Sequence, residues 1–291
     1  MKLIALILGL VIERAATRLL HLRELHWFDL YFDIGLVQVS RLQRLPALLG
    51  TALLLALPVL PVLLVSLAFT DVLWDLPYLA FAVLVLLFSL GPRDLGAEVD
   101  EYCEAIGRSD AERAERVAKE LLEADQSPEA DSAVIRAVFV QANNRIFGVV
   151  FWFIVLGPVG AWLFRVSDLF RRRAVFDAER DPAMARVLSH ISAIHGILGW
   201  FPARLAALGY AFSGSYDDAF SCWRAYSADP AAPFYQGNDQ MVACVGCGAL
   251  SLVDGDVEEA DHGARKAMRL VTRTIFVWTT VIALMTLPGW A

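Results

Sequence analysis

Long charge-free blocks separated by polar stretches set the pattern of this chain. Leu45–Thr70, Leu76–Gly91 and Ile146–Phe164 contain no charged residue, Leu188–Phe212 carries only His190, His195 and Arg204, and Ile275–Leu287 is again uncharged. A helix needs roughly 20 apolar residues to cross the hydrocarbon core of a bilayer. These blocks predict an all-α, polytopic integral membrane protein with cytoplasmic helical segments. The first two read as a helical hairpin with Asp71 and Asp75 at its tip. Pro58 and Pro61 should kink the first arm, because proline lacks the N–H and clashes with the preceding turn.

The polar stretches divide one membrane domain, residues 1–291, into parts. Residues 1–44 form an amphipathic N-terminal segment and 45–91 the transmembrane hairpin. A soluble helical insert follows over 92–145, then a central apolar region over 146–213. Residues 214–272 are a second soluble segment and 273–291 a closing span. The chain opens like a signal peptide, with Lys2 and then apolar residues to Ile12, but Glu13 and Arg14 follow at once and no small-x-small cleavage site appears. This block reads as a retained interfacial helix with Glu13, Arg14 and Arg18 on its polar side. In the insert, Ser109-Asp-Ala-Glu112 predicts a capping box opening a helix to about Ala124, and Ser127-Pro128 restarts another. Ile135, Val138, Phe139 and Ala142 recur at helical spacing and lead into the central run.

Composition sharpens this picture. A hydrophobic share of 57% exceeds the roughly 45–50% of soluble domains. The net charge of −7, with no basic stripe, excludes nucleic acid as a partner. The insert alone holds 13 acidic and 7 basic residues, a net of −6. It is either a solvated face or a surface for a protein partner. Arg41, Arg44 and Arg93 flank the hairpin, and Arg265, Lys266, Arg269 and Arg273 precede the last span. By the excess of basic residues on the cytoplasmic side, the N-terminus and most of 92–273 are expected inside and the C-terminus outside.

Chemistry concentrates around the central run. Asn143, Asn144 and Arg145 stand directly before it, and Arg165 and Asp168 directly after. With arginines on both flanks, a simple crossing is awkward. Either the run re-enters at a break formed by Gly157-Pro158, or it crosses and Val187–Ser213 crosses back. Polar groups against lipid-length sequence are either anchors or a site. The candidate ligand-binding residues are Glu13, Arg14, Asn143, Asn144 and Arg145, with Arg165, Asp168 and Arg204. Guanidinium groups suit an anionic small molecule; the alternative is that these residues pair with one another and hold the fold. A second copy of the chain, in a homodimer, is a further expected partner.

No phosphate loop, dinucleotide fingerprint, hydrolase elbow or H-E-x-x-H occurs. Cys244-Val245-Gly246-Cys247 stands alone among small residues, which points to close helix packing rather than zinc. The motifs therefore imply no catalytic residue, metal or cofactor.

The whole chain resembles the AmpE family of inner-membrane proteins, regulatory signalling modulators of β-lactamase induction. The resemblance rests on Val-Ile-Glu-Arg (Val11–Arg14), the early hairpin, the block Asn144–Phe153, Trp-Phe-Pro-Ala-Arg-Leu (Trp200–Leu205) and the terminal span. It implies a non-catalytic signalling role linked to cell-wall recycling and β-lactam resistance. Through the same blocks the chain is more distantly similar to the membrane-bound adenosylcobinamide-phosphate synthases, which couple an aminopropanol arm to a corrinoid carboxylate with ATP and magnesium. Their motif reads Glu-Asn-x-Ser-Asp-Gly. Here Asn144 and Gly148 keep the Asn and the Gly, while Phe147 stands where the Asp would be. Downstream, Ser167 and Phe170 fall where the motif has Asn and Asp, with Asp168 one step off. That resemblance implies an ATP-dependent synthase with altered metal ligands as the alternative function, and a partner-docking scaffold is a third.

Overall fold

A computed structural model describes residues 26–41, 44–69, 76–91, 94–122, 131–178, 184–226, 236–251 and 260–286. The interfacial helix expected over residues 1–20, with Glu13 and Arg14, lies outside the described residues, as does the restart at Ser127-Pro128. All regular structure among the described residues is helical. In chain order the helices are α1 (His26–Ser40), α2 (Arg44–Ala56), α3 (Val59–Ala68), α4 (Leu76–Leu90), α5 (Leu95–Gly107), α6 (Ala111–Leu121) and α7 (Asp131–Ala142). A π-helical turn, Asn143–Phe147, leads directly into α8 (Gly148–Leu156). Then come α9 (Pro158–Ala178), α10 (Met184–Ser213), α11 (Tyr216–Tyr226), α12 (Asn238–Ala249) and α13 (Ala260–Thr286).

Among the described residues, four helical stretches are long and apolar enough to cross a membrane: Leu76–Gly107, Ser132–Leu156, Met184–Ser213 and His262–Leu284. The bent pair Ala47–Ala56 and Val59–Ala68 makes a fifth candidate. Large apolar side chains stand on the outside of these elements, among them Leu49 at 72% exposure and Leu64 at 65%. A water-facing surface would not carry such a run, whereas a lipid-facing one must. The protein is an all-α, multi-pass membrane protein.

The chain forms two compact units. The first comprises Met1–Pro92 and Gly148–Leu198. In it, α2 and α3 meet at 44° around Pro58. Pro58 has no N–H to give the Leu54 carbonyl, and the Tyr31 hydroxyl donates to that carbonyl instead, at 2.8 Å. The expected second kink at Pro61 does not occur. Pro61 falls in the first turn of α3, where its N–H would have had no partner within the helix. The chain then reverses between α8 and α9. Gly157 adopts a left-handed φ of 69° that a side chain would strain. A Cβ at Gly148 would run into the Phe164 ring, so the two helices touch because Gly148 has none. The break expected at Gly157-Pro158 is present. The helix before it starts earlier than the uncharged run, since Ser132–Leu156 is one apolar stretch through the π turn.

Pro202 lies inside α10. Its missing N–H leaves the carbonyl of Leu198, four residues earlier, without its helical donor. The indole Nε1–H of Trp152 donates there at 3.0 Å. Thus each of these two proline breaks has its freed carbonyl satisfied by an aromatic donor, as a low-dielectric surrounding requires.

The second unit comprises Arg93–Phe147 and Gly199–Ala291. Phe139, Phe147 and Tyr210 are wholly buried at its centre. α6 opens on Asp110, whose carboxylate accepts from the Arg113 N–H at 3.1 Å. The expected cap at Ser109 is therefore displaced by one residue, and Ser109 takes a φ of 56°. Aspartate caps at least as well as serine, and the helix takes the cap nearest its first turn. α11 and α12 run antiparallel: the Ser215 N–H donates to the Ala249 carbonyl at 2.8 Å, and the Tyr226 hydroxyl to the Gln236 carbonyl at 3.4 Å. Gly246 lies against the Phe139 ring, and Gly248 against the α11 backbone and Cys222. The cysteine pair belongs to this packing. All four cysteines are free, and burial first, then the Cys222 hydrogen bond, pushes the Cys244 thiol up to about 12.

Candidate functional site

The π turn puts three consecutive polar residues into the interior of the second unit. Asn143 and Asn144 are each 1% exposed and Arg145 is 8% exposed. A π turn inserts a residue relative to the α-helical count and is frequent at functional sites. Each inserted residue turns the following helix face by about 100°. The Asn-Asn-Arg run thereby faces the interior, while Phe147 packs its ring against Tyr210 and Trp278 at 5.8 and 5.0 Å.

Arg145 is held from two sides. Its Nη1 donates to Glu98 Oε2 at 2.8 Å and its Nε to Gln141 Oε1 at 3.0 Å. Gln141 in turn donates to the Leu121 carbonyl at 2.8 Å, in the last turn of α6. The amides form a second chain. Asn143 Nδ2 donates to Asn144 Oδ1 at 3.2 Å, and Asn144 Nδ2 to Asp239 Oδ1 at 3.4 Å. Asn143 Oδ1 remains a buried acceptor without a hydrogen-bond partner. Such an atom costs about 1–3 kcal/mol unless a donor reaches it.

Arg204 joins this unit through α12. Its Nη1 donates to the Trp200 carbonyl and to Asn238 Oδ1, both at 3.1 Å, and its guanidinium lies 4.1 Å from the centre of the Trp200 ring. Asn238 and Asp239 are the first two residues of α12, so the start of that helix contacts both Arg204 and Asn144.

Arg165 and Asp168 belong to the first unit, where α9 builds a separate cluster. Asp168 is fully buried and accepts from three guanidinium groups of its own helix: Arg165 at 3.1 Å, Arg171 at 3.0 Å and Arg172 at 3.0 Å. Spacings of three and four residues place these side chains on one face. Burial alone would raise the Asp168 carboxyl, but the charges of Arg172, Arg171, His195 and Arg165 outweigh it and hold the group well below the usual carboxylate range. Beside it, Ser167 Oγ donates to the Phe164 carbonyl at 2.7 Å and lies 2.9 Å from His195 Nδ1. This contact ties α9 to α10.

A family model for the regulatory signalling modulator protein AmpE matches residues 1–290. The chain belongs to the AmpE family.

Among curated relatives, it is 31% identical over 178 residues to the cobalamin biosynthesis protein CobD of Stutzerimonas stutzeri (strain A1501), covering 60% of this chain and 56% of that protein. It therefore spans little more than half the length of that relative. It is 28% identical over 222 residues to the CobD of Chromobacterium violaceum, 68% of each chain. It is 25% identical over 228 residues to protein AmpE of Shigella flexneri, 76% of this chain and 78% of that one. No solved structure matches the chain.

Within this AmpE-family chain, Asn144 meets Asp239, Arg145 meets Glu98 and Gln141, and Arg204 meets Asn238. Nothing in the local sequence marks Glu98 apart from the other acids of the insert. Asp239 carries a weak signal, its place just after Gly237 at the start of a helix.

Proposed function

We propose that this chain is a non-catalytic regulatory protein of the bacterial inner membrane, linked to β-lactamase induction and cell-wall recycling. It binds an anionic small molecule carrying N–H or O–H donors, of the nucleotide or cell-wall-fragment kind, at the π turn on the cytoplasmic side. One observation carries the non-catalytic reading. Where the similar synthase motif has an acid, this chain has Phe147, 1% exposed, with its ring edge-on to Tyr210 and tilted against Trp278. A magnesium–phosphate site needs carboxylate oxygens at the cation, and a carboxylate enclosed by those rings would be costly. The unpartnered Asn143 Oδ1 supports binding, since a ligand donor satisfies it. Arg145, held by Glu98 and Gln141, lies directly beside the two amides.

The similarity to two proteins named for cobalamin biosynthesis favours a second reading, an ATP-dependent membrane synthase with altered metal ligands. The regulatory reading is tested in a bacterium with an inducible β-lactamase, its own family member replaced by this chain or by the Asn143→Ala/Asn144→Ala variant. The variant should change the induction ratio at unchanged membrane abundance. Equal induction with wild type, variant and empty vector would sink the reading.

A further inference from the structure

Four cations crowd the first half of α13: Arg265, Lys266, Arg269 and Arg273. Arg265, Arg269 and Arg273 recur every fourth residue and are all exposed. Their side chains therefore form a column along one helix face, one turn of about 5.4 Å after another. Neither Arg269 nor Arg273 pairs with a carboxylate among the described residues.

Two cavities flank the column. One, of about 370 Å³, is lined by Asp100, Met268 and Thr272 together with the three arginines. The other, of about 350 Å³, has Lys266, Arg269 and Arg273 opposite Ser213, Ser215 and Ser251. Arg269 and Arg273 line both, and among the described residues Asp100 is the single carboxylate residue lining either. Directly beyond Arg273 the same helix turns apolar and outward, with Phe276 63% and Leu284 60% exposed. The paired guanidinium groups thus stand at the level where a lipid-facing surface gives way to a basic one. Guanidinium forks match phosphate oxygens two at a time, and basic clusters beside a membrane span attract anionic headgroups.

We propose that Arg269 and Arg273 bind the phosphate group of an anionic membrane lipid, with the acyl chains along the Phe276–Leu284 face. The same donors suit a free phosphate ion; the adjoining lipid-facing surface favours the lipid. The alternative neutralising partner is the acidic sequence that precedes α13, with Asp254, Asp256, Glu258 and Glu259.

The test uses the full chain in nonionic detergent. Dioctanoyl phosphatidylglycerol, dioctanoyl phosphatidylcholine and inorganic phosphate are titrated separately, with occupancy read by native mass spectrometry. Phosphatidylglycerol should bind saturably and the other two should not. Arg269→Gln/Arg273→Gln should weaken it about 30-fold, from about 1 kcal/mol for each basic residue near the surface. Arg108→Gln/Arg116→Gln, which removes two charges elsewhere in the same unit, should leave affinity unchanged. Should the first double variant fail to fold, Arg273→Lys keeps the charge, loses the fork and should give a smaller drop. Equal binding of the two lipids, or equal losses in both double variants, overturns the site. Saturable displacement by inorganic phosphate overturns the lipid assignment. Indifference of the wild type to lipid charge points to the acidic segment instead and also overturns the proposal.

Discussion

Arg145 and Glu98, 47 residues apart in sequence, meet across 2.8 Å with their side chains 10% and 7% exposed. A buried ion pair contributes little net stability over an apolar pair, but removing one partner strands the other. Glu98→Leu should destabilise the protein by about 3–5 kcal/mol, and Arg145→Met similarly. The double variant should recover most of that loss. Unfolding in detergent measures all three, and additive losses in the double variant would contradict the pairing.

Trp152 replaces the donor that Pro202 removes from Leu198. Trp152→Phe keeps the aromatic packing and withdraws the N–H, leaving a carbonyl unsatisfied at about 1–3 kcal/mol. Pro202→Ala returns a helical N–H to that carbonyl. The Trp152→Phe change should therefore cost markedly less in a Pro202→Ala background. Equal cost in both backgrounds would show that the indole hydrogen bond contributes nothing at the break.

Asp168 gives the α9 cluster a defined acid sensitivity. Its folded-state pKa is depressed by Arg172, Arg171, His195 and Arg165 despite burial, so its contribution is fully present above the unfolded value of about 3.9. It is lost as pH falls below that value and through the folded one. The melting temperature should drop over this acid range. Asp168→Asn should already be lower at pH 7, because three guanidinium groups lose their shared carboxylate, and should show a shallower acid limb. Parallel acid limbs for wild type and variant would contradict this role.

The architecture was largely legible from the chain, because lipid-length apolar blocks admit few structures other than helices. The break at Gly157-Pro158 and the bend at Pro58 followed from proline chemistry alone. The donors that repair such breaks did not, since Tyr31 and Trp152 lie 23 and 46 residues from the carbonyls they satisfy. Ser109 looked the better cap because it completes a box with Glu112, yet Asp110 stands one residue closer to the helix. Asn143, Asn144 and Arg145 were recognisable as amides and a guanidinium set against an apolar run. Glu98 was hidden as one of 13 acids in the insert, and its pairing depends on tertiary distance. The π turn has no signature in local propensity.

The proposed absence of turnover rests on Phe147 standing where the similar synthase motif has an acid. The direct measurement incubates purified full-length protein with ATP, magnesium, an aminopropanol donor and adenosylcobyric acid, and follows the corrinoid product by mass spectrometry. The expected result is product no greater than in the protein-free control. Product formed by the wild-type protein at a rate proportional to its concentration would contradict the account.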